Sequence, residues 1–175
     1  FPLSTQFNII AQTLPYNQEF QVNTYTYEDQ IHTQAAILSS GSIVFCWDSW
    51  EHLGSYRGVY AQMFDENGVK YGEEIHVNTY QDSYQVNPKI VALQNNGFVI
   101  CWESGGQDGN GYGLFAQLFD ENGMKVGEEF QVNTYTFGNQ KDAVISVFSN
   151  GDFIICWESN GQDGSGDGIF AQIFS

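Results

Sequence analysis

The chain has 175 residues and a formal charge of −16, with 21 acidic residues against only 5 Lys and Arg residues. This charge repels the phosphates of nucleic acids, so nucleic acid is excluded as a partner. No apolar stretch approaches twenty residues, so membrane insertion is not expected either. The 14 Phe, 10 Tyr and 4 Trp residues favour a packed β protein over a disordered chain.

The first predicted elements are an N-terminal extension over residues 1–18 and a strand over residues 19–25. The strand alternates between apolar and polar side chains, as half-exposed strands do. Its last residues, Asn-Thr-Tyr, return twice in the chain at a spacing of 55 residues. We predict an assembly role for four residues of this strand, which are Phe20, Val22, Asn23 and Tyr25.

Three repeated units follow, at residues 26–80, 81–135 and 136–175, and each carries a Cys-Trp pair at the same place. A fixed period of this length without helical patterning is typical of a toroidal or stacked β-architecture. Residues 19–25 and 26–175 together therefore make one three-repeat β domain. The cysteines follow apolar runs, so they are expected to be buried and inert thiols.

Each unit is predicted to fold into four short antiparallel strands, which in the second unit are residues 89–94, 98–103, 114–120 and 128–135. One Asn-Gly turn joins the first strand to the second, and another joins the third strand to the fourth. The second strand is apolar on both faces, whereas the fourth is apolar on one face only. This gradient is typical of a β-propeller blade, and a β-trefoil or β-prism is the alternative.

The third unit ends after its third strand, and the strand that it lacks corresponds to residues 19–25. We therefore predict that the N-terminal strand completes the last blade, either in its own chain or in a neighbouring chain. Exchange between chains would produce a homo-oligomer or a filament.

Glycine-rich loops join the second and third strands of the later units, at residues 104–113 and 162–168. Alternation of glycine with oxygen-bearing side chains suits a hard cation such as Ca²⁺, while an Asx-turn is the structural alternative. The predicted calcium ligands are Glu103, Asp108, Asn110, Glu158, Asp163, Ser165 and Asp167.

The corresponding loop of the first unit has a different composition, because it combines an aromatic ring with polar groups. Such a mixture is usual at contacts with carbohydrate or protein. Its predicted ligand-binding residues are Trp50, His52, Tyr56 and Arg57.

The segment GFVICWESGGQDGNGYGLFAQ at residues 97–117, with EFQVNT at 129–134, resembles a known repeat. It is similar to the tandem units of about fifty residues in large secreted or surface proteins of bacteria and ciliates, which accompany RTX-type or cadherin-like modules. The resemblance implies an extracellular β-repeat of adhesive or structural use, and it supplies no enzymatic mechanism.

No nucleophile has an evident base, and the three histidines do not recur at equivalent positions, so an enzyme is not predicted. The favoured function is that of an extracellular structural or adhesive protein that self-associates into a fibre or surface assembly. The alternative is a lectin-like module that binds glycans.

Overall fold

The computed structural model describes residues 18–50 and 56–175. The regular elements of these residues are eleven β-strands, and they contain no helix long and apolar enough to cross a bilayer. The strands are β1 (Gln30–Ile37), β2 (Ile43–Trp50), β3 (Arg57–Phe64), β4 (Lys70–His76), β5 (Gln85–Ala92), β6 (Phe98–Gly105), β7 (Tyr112–Phe119), β8 (Lys125–Gln131), β9 (Gln140–Val147), β10 (Phe153–Asn160) and β11 (Asp167–Phe174).

The strands form three antiparallel sheets, one for each repeated unit. The first blade is β1-β2-β3-β4, the second is β5-β6-β7-β8, and the third is β9-β10-β11. Each blade is a meander in which neighbours in sequence are neighbours in space, as tight Asn-Gly and Asp-containing turns favour. The prediction of an all-β fold built from propeller-like blades is confirmed.

The blades pack face to face, and β6 of the second blade lies between both neighbours. Its front face, defined by Phe98, Ile100 and Trp102, contacts the first blade. Its back face, which includes Val99 and Cys101, contacts the third blade. Successive residues of a strand point to opposite faces, which explains why this strand must be apolar at every position from Phe98 to Trp102.

The innermost strand of every blade contains a bulge at an equivalent position. His32, Asn87 and Asp142 lie 55 residues apart, and each has a positive φ of 53–55°. The pairing register shifts at these residues in all three blades. A positive φ is costly for residues other than glycine, so it persists only where tertiary contacts stabilise it.

Of the two alternatives predicted for the N-terminal strand, completion of the third blade within the same chain is not seen. In the described residues the third sheet has three strands, and residues 18–25 form no regular strand. Phe20 packs instead on Phe45 and Phe64 of the first blade, at ring-centroid distances of 6.4 and 5.1 Å. Completion of the blade by a neighbouring chain stays a prediction.

Candidate functional site

The predicted ligand-binding residues of the first unit form part of an aromatic cluster at the junction of the first two blades. Trp50 is the last residue of β2, and the ring of Tyr84, which precedes β5, meets it edge-on at 6.0 Å. Tyr56 contacts the same Tyr84 ring at 5.4 Å. Tyr56 and Tyr84 are exposed and Trp50 is half-buried, so the cluster presents aromatic surface to solvent.

Arg57 is held against this cluster by a buried carboxylate. Its guanidinium lies 5.4 Å from the centre of the Trp50 ring, a cation–π arrangement. Its Nη1 donates a hydrogen bond of 3.0 Å to Oδ2 of Asp48, which is fully buried. The pair therefore fixes the guanidinium on the Trp50 face. We name Trp50, Tyr56, Arg57 and Tyr84 the aromatic cluster; His52 lies outside the described residues.

The second blade adds residues to this region that sequence reasoning missed. Tyr84 accepts a hydrogen bond of 2.8 Å through its carbonyl oxygen from the N–H of Gly105. The N–H of Asn160 makes the equivalent bond to the carbonyl oxygen of Asn139 in the third blade, at 2.9 Å. Tyr112 lies nearby, and burial raises its pKa, with additional contributions from Glu103 and Tyr84. The sequence showed only that Tyr84 precedes the first strand of the second unit, which does not indicate a binding site.

A second repeated constellation lies where each inner strand bulges. The N–H of Asn87 donates to Oδ1 of Asp48 at 3.0 Å, and the N–H of Asp142 donates to Oε1 of Glu103 at 2.9 Å. In both cases a carboxylate from one blade holds the bulge of the next blade. We name this repeated contact the carboxylate clamp.

The bulge side chains support the carboxylates of their own blades. His32 Nδ1 lies 2.6 Å from Oδ1 of Asp48, and Asn87 Nδ2 donates to Oε1 of Glu103 at 2.7 Å. Hydrogen bonds to a charged acceptor are the stronger kind, so these contacts stabilise the bulges. In the sequence, the carboxylate positions and the bulge positions each recur at a spacing of 55 residues. This spacing does not show that a carboxylate of one unit contacts the bulge of the next.

The structure gives the predicted calcium ligands protein partners in the glycine-rich loops. Oδ1 of Asp108 accepts the N–H of Asn110 at 3.2 Å, and its Oδ2 accepts Nδ2 of Asn133 at 3.2 Å. Oδ1 of Asn110 in turn accepts the N–H of Gly138. These bonds make an Asx-turn that attaches the loop to the third unit.

The loop of the third unit is arranged similarly. Oδ1 of Asp163 accepts the N–H of Ser165 at 3.1 Å, and Oδ1 of Asp167 accepts Nδ2 of Asn160 at 2.8 Å. Glu158 is half-buried on β10, and Glu103 belongs to the carboxylate clamp. Over residues 18–50 and 56–175, no three His, Cys, Asp or Glu side chains lie close enough together to hold a metal. Calcium binding therefore stays a prediction, which calorimetric titration of EGTA-treated protein tests.

The recurring cysteines differ in burial from blade to blade. Burial raises the pKa of Cys101 to about 12 and that of Cys46 further, so both thiols stay protonated. Cys156 is less buried, because its face of the third blade has no neighbouring blade in the described chain. The expectation of buried thiols is therefore met for Cys46 and Cys101, which a neighbouring blade covers, and not for Cys156.

Comparisons with known proteins place this architecture among β-propeller-type folds. The sequence matches no protein-family model and no curated protein sequence. Among solved structures, an endo-arabinase from Bacteroides thetaiotaomicron has a TM-score of 0.51 at 15% identity, over 83% of this chain and 56% of that chain. A thermostable family-43 glycoside hydrolase has a TM-score of 0.52 at 10% identity, over 85% and 55%.

A protein of unknown function from Dyadobacter fermentans is similar as well, with a TM-score of 0.56 at 8% identity, over 82% of this chain and 50% of that chain. The chain thus spans about half the length of these structures. At such identities the likeness shows a shared fold. It nevertheless contradicts the prediction that this protein is not an enzyme, since glycoside hydrolases use the same fold. The three blades belong to a fold class that includes carbohydrate-active β-propeller proteins.

Proposed function

We propose that the protein binds carbohydrate, and that the aromatic cluster is its binding surface. The observation that carries this proposal is the grouping of three aromatic rings and one guanidinium at a single blade junction. Aromatic rings stack on the apolar faces of sugar rings, and adjacent polar groups bond the hydroxyls. The glycan-active structural neighbours support this reading over a purely structural role.

The position of the cluster also suits ligand binding. Trp50 ends β2 and Tyr56 precedes β3 of the first blade, while Tyr112 begins β7 of the second blade, at the repeat position of Arg57. A glycan at the cluster would therefore meet two neighbouring blades. An extracellular location and an adhesive use of such binding remain our predictions.

Replacement of Trp50 by alanine is expected to weaken glycan binding about tenfold, because one stacking ring is lost. The probe is a set of arabinan oligosaccharides, first placed on an array with other plant and bacterial glycans and then titrated calorimetrically. Tyr84→Ala should weaken the same interaction, since its ring contacts both Trp50 and Tyr56.

Phe137→Ala is the matched control, because Phe137 is an exposed aromatic residue outside the cluster. Its affinity for the same glycan should equal that of the unmodified chain. Absence of binding across the array would contradict the proposal, and equal losses in all three variants would show that the cluster is not the site.

A second candidate function is glycoside hydrolysis, which two carboxyl groups on either side of a glycosidic bond generally perform. The observation that favours it is the recurrence of Asp48, Glu103 and Glu158 at equivalent positions of neighbouring blades. Release of reducing ends from arabinan would support it, provided that Glu158→Gln abolishes the release. Binding without any release would retain the first proposal and remove this one.

A further inference from the structure

The back face of the third blade is an apolar sheet surface that the described residues leave uncovered. Ile169 and Ile173 of β11 are 72% and 54% exposed. Their equivalents in the second blade, Leu114 and Leu118, belong to the core between the second and third blades. The uncovered surface thus has the composition of a blade interface that is already formed once in this molecule.

The front face of the first blade is the complementary surface. It contains Ile43, Phe45 and Trp47, which correspond by the repeat to Phe98, Ile100 and Trp102 on the second blade. Ile43 and Phe45 are partly exposed, whereas Trp47 is 2% exposed in the single chain, so the first two would form the contact. Those three residues of the second blade pack against the back face of the first blade. A front face of this kind therefore fits a back face such as that of the third blade.

Residues 18–25 already lie where the outer strand of a preceding blade would be. The ring of Phe20 contacts Phe64 at 5.1 Å, just as Phe130 of β8 contacts Phe174 of the third blade at 5.4 Å. The N–H of Thr24 donates to Glu74 at 2.8 Å, and the N–H of Thr79 donates to Glu129 at 2.6 Å. The segment therefore makes the contacts of an outer strand whose own blade is absent from residues 18–50 and 56–175.

We propose that a second copy of this chain occupies this position, with its third blade packed on the front face of the first blade. Residues 19–22 of one copy would then be the fourth strand of the blade of the other copy. The register of β7 with β8 places Ala116 opposite Phe130, so the repeat predicts Phe20 opposite Ala171.

The carboxylate clamp predicts a polar contact in the same interface. Asp48 and Glu103 each accept the bulge N–H of the next blade. Glu158 is their equivalent on the third blade, and the next bulge in the repeat is that of His32 in the second copy. His32 has the same positive φ as Asn87 and Asp142. Its backbone conformation is therefore already the one that a clamp requires.

The first test is the mass of the full chain by light scattering over a wide range of concentrations. A mass of two or more chains of 19.7 kDa is expected. The double variant Ile169→Lys with Ile173→Lys should have the mass of one chain and keep the β-sheet circular dichroism spectrum, since both residues are exposed in the single chain. Met124→Lys is the control, because Met124 is 66% exposed on the second blade and should leave the mass unchanged.

A single-chain mass for the unmodified protein at every concentration would overturn the proposal. If Ile169→Lys also lowered the melting temperature of that single chain, residues 1–17 of the same chain would be the occupant instead. If the double variant kept the mass of a multimer, the proposal that the third blade forms the interface would also be overturned.

The second test concerns the strand register. Phe20→Cys combined with Ala171→Cys, in a Cys156→Ser background, should yield covalent dimers on oxidation, because directly opposed residues of adjacent strands approach disulfide distance. A cross-link within one chain, or none at all, would exclude strand exchange. Glycan binding measured on the same samples separates this inference from the proposed function, since the aromatic cluster lies between blades of one chain.

Discussion

Replacement of Asp48 by alanine is expected to lower the free energy of unfolding by about 3–5 kcal/mol, the cost of breaking a buried ion pair. Asp48 is fully buried and receives the Arg57 guanidinium, the Asn87 N–H and the His32 ring. Its loss leaves these groups without their charged acceptor and removes one carboxylate clamp. Urea denaturation followed by tryptophan fluorescence measures the change.

The control for this variant is Glu121→Ala, which removes the same charge from an exposed turn. Because the chain carries a net charge of −16, loss of one acidic group relieves some repulsion in either variant. The control is expected to change stability by less than about 0.5 kcal/mol. An effect of Asp48→Ala no larger than that of the control would show that the clamp contributes little to the packing of the blades.

Replacement of Trp102 by alanine is expected to cost about 3–5 kcal/mol, as truncation of large buried aromatic residues does. Trp102 is fully buried on the front face of the second blade, within the core shared with the first blade. The cavity would lie between the first two blades and weaken the contact between them, whereas the hydrogen bonds within each sheet would remain. Differential scanning calorimetry should therefore show a lower melting temperature.

A matched pair of phenylalanine variants separates the packing of this ring from its hydrogen bond. Nε1 of Trp102 donates to Oε1 of Gln85 at 3.0 Å, whereas Oε1 of the equivalent Gln140 accepts Nδ2 of Asn133. Nε1 of Trp157 is buried without a partner among the described residues. Trp102→Phe should therefore cost about 1 kcal/mol more than Trp157→Phe. Equal costs would assign the stabilisation to packing alone.

The arrangement in blades was predictable because it depends on periodicity that is local in the chain. Neighbouring residues such as Ile100 and Cys101 point to opposite faces, so an uninterrupted apolar run requires two covering layers. The repeated Cys-Trp pair then indicated three equivalent sheets. Propeller packing satisfies both conditions, and the structure confirms it.

The sequence left open whether residues 19–25 complete a blade of the same chain or of a neighbouring chain, because strand patterning does not identify the neighbour. Alternation of Phe20 and Val22 with polar residues shows that one face is buried. It cannot distinguish hydrogen bonding to β11 from packing on the rings of Phe45 and Phe64. In the single chain Phe20 contacts these rings and is still 47% exposed.

The candidate site was predicted only in part, since its members come from two units. Trp50, Tyr56 and Arg57 lie within eight residues of one another, so their composition was visible in the sequence. Tyr84 was missed because its equivalents are Asp29 and Asn139, which gives no recurring signal. The clamp was missed for another reason: it joins Asn87 to Asp48, which lies 39 residues earlier in the chain and on another blade.

The carboxylate clamp has a consequence for how this protein can change in length. Each boundary between units uses the same bond between a carboxylate and the next bulge. A whole 55-residue copy inserted between Tyr80 and Gln81 would therefore find suitable partners on both sides. Insertion of one residue within β6 would instead reverse its two faces and disrupt both cores. Gene duplication in whole units is thus the tolerated route by which such a fold gains blades.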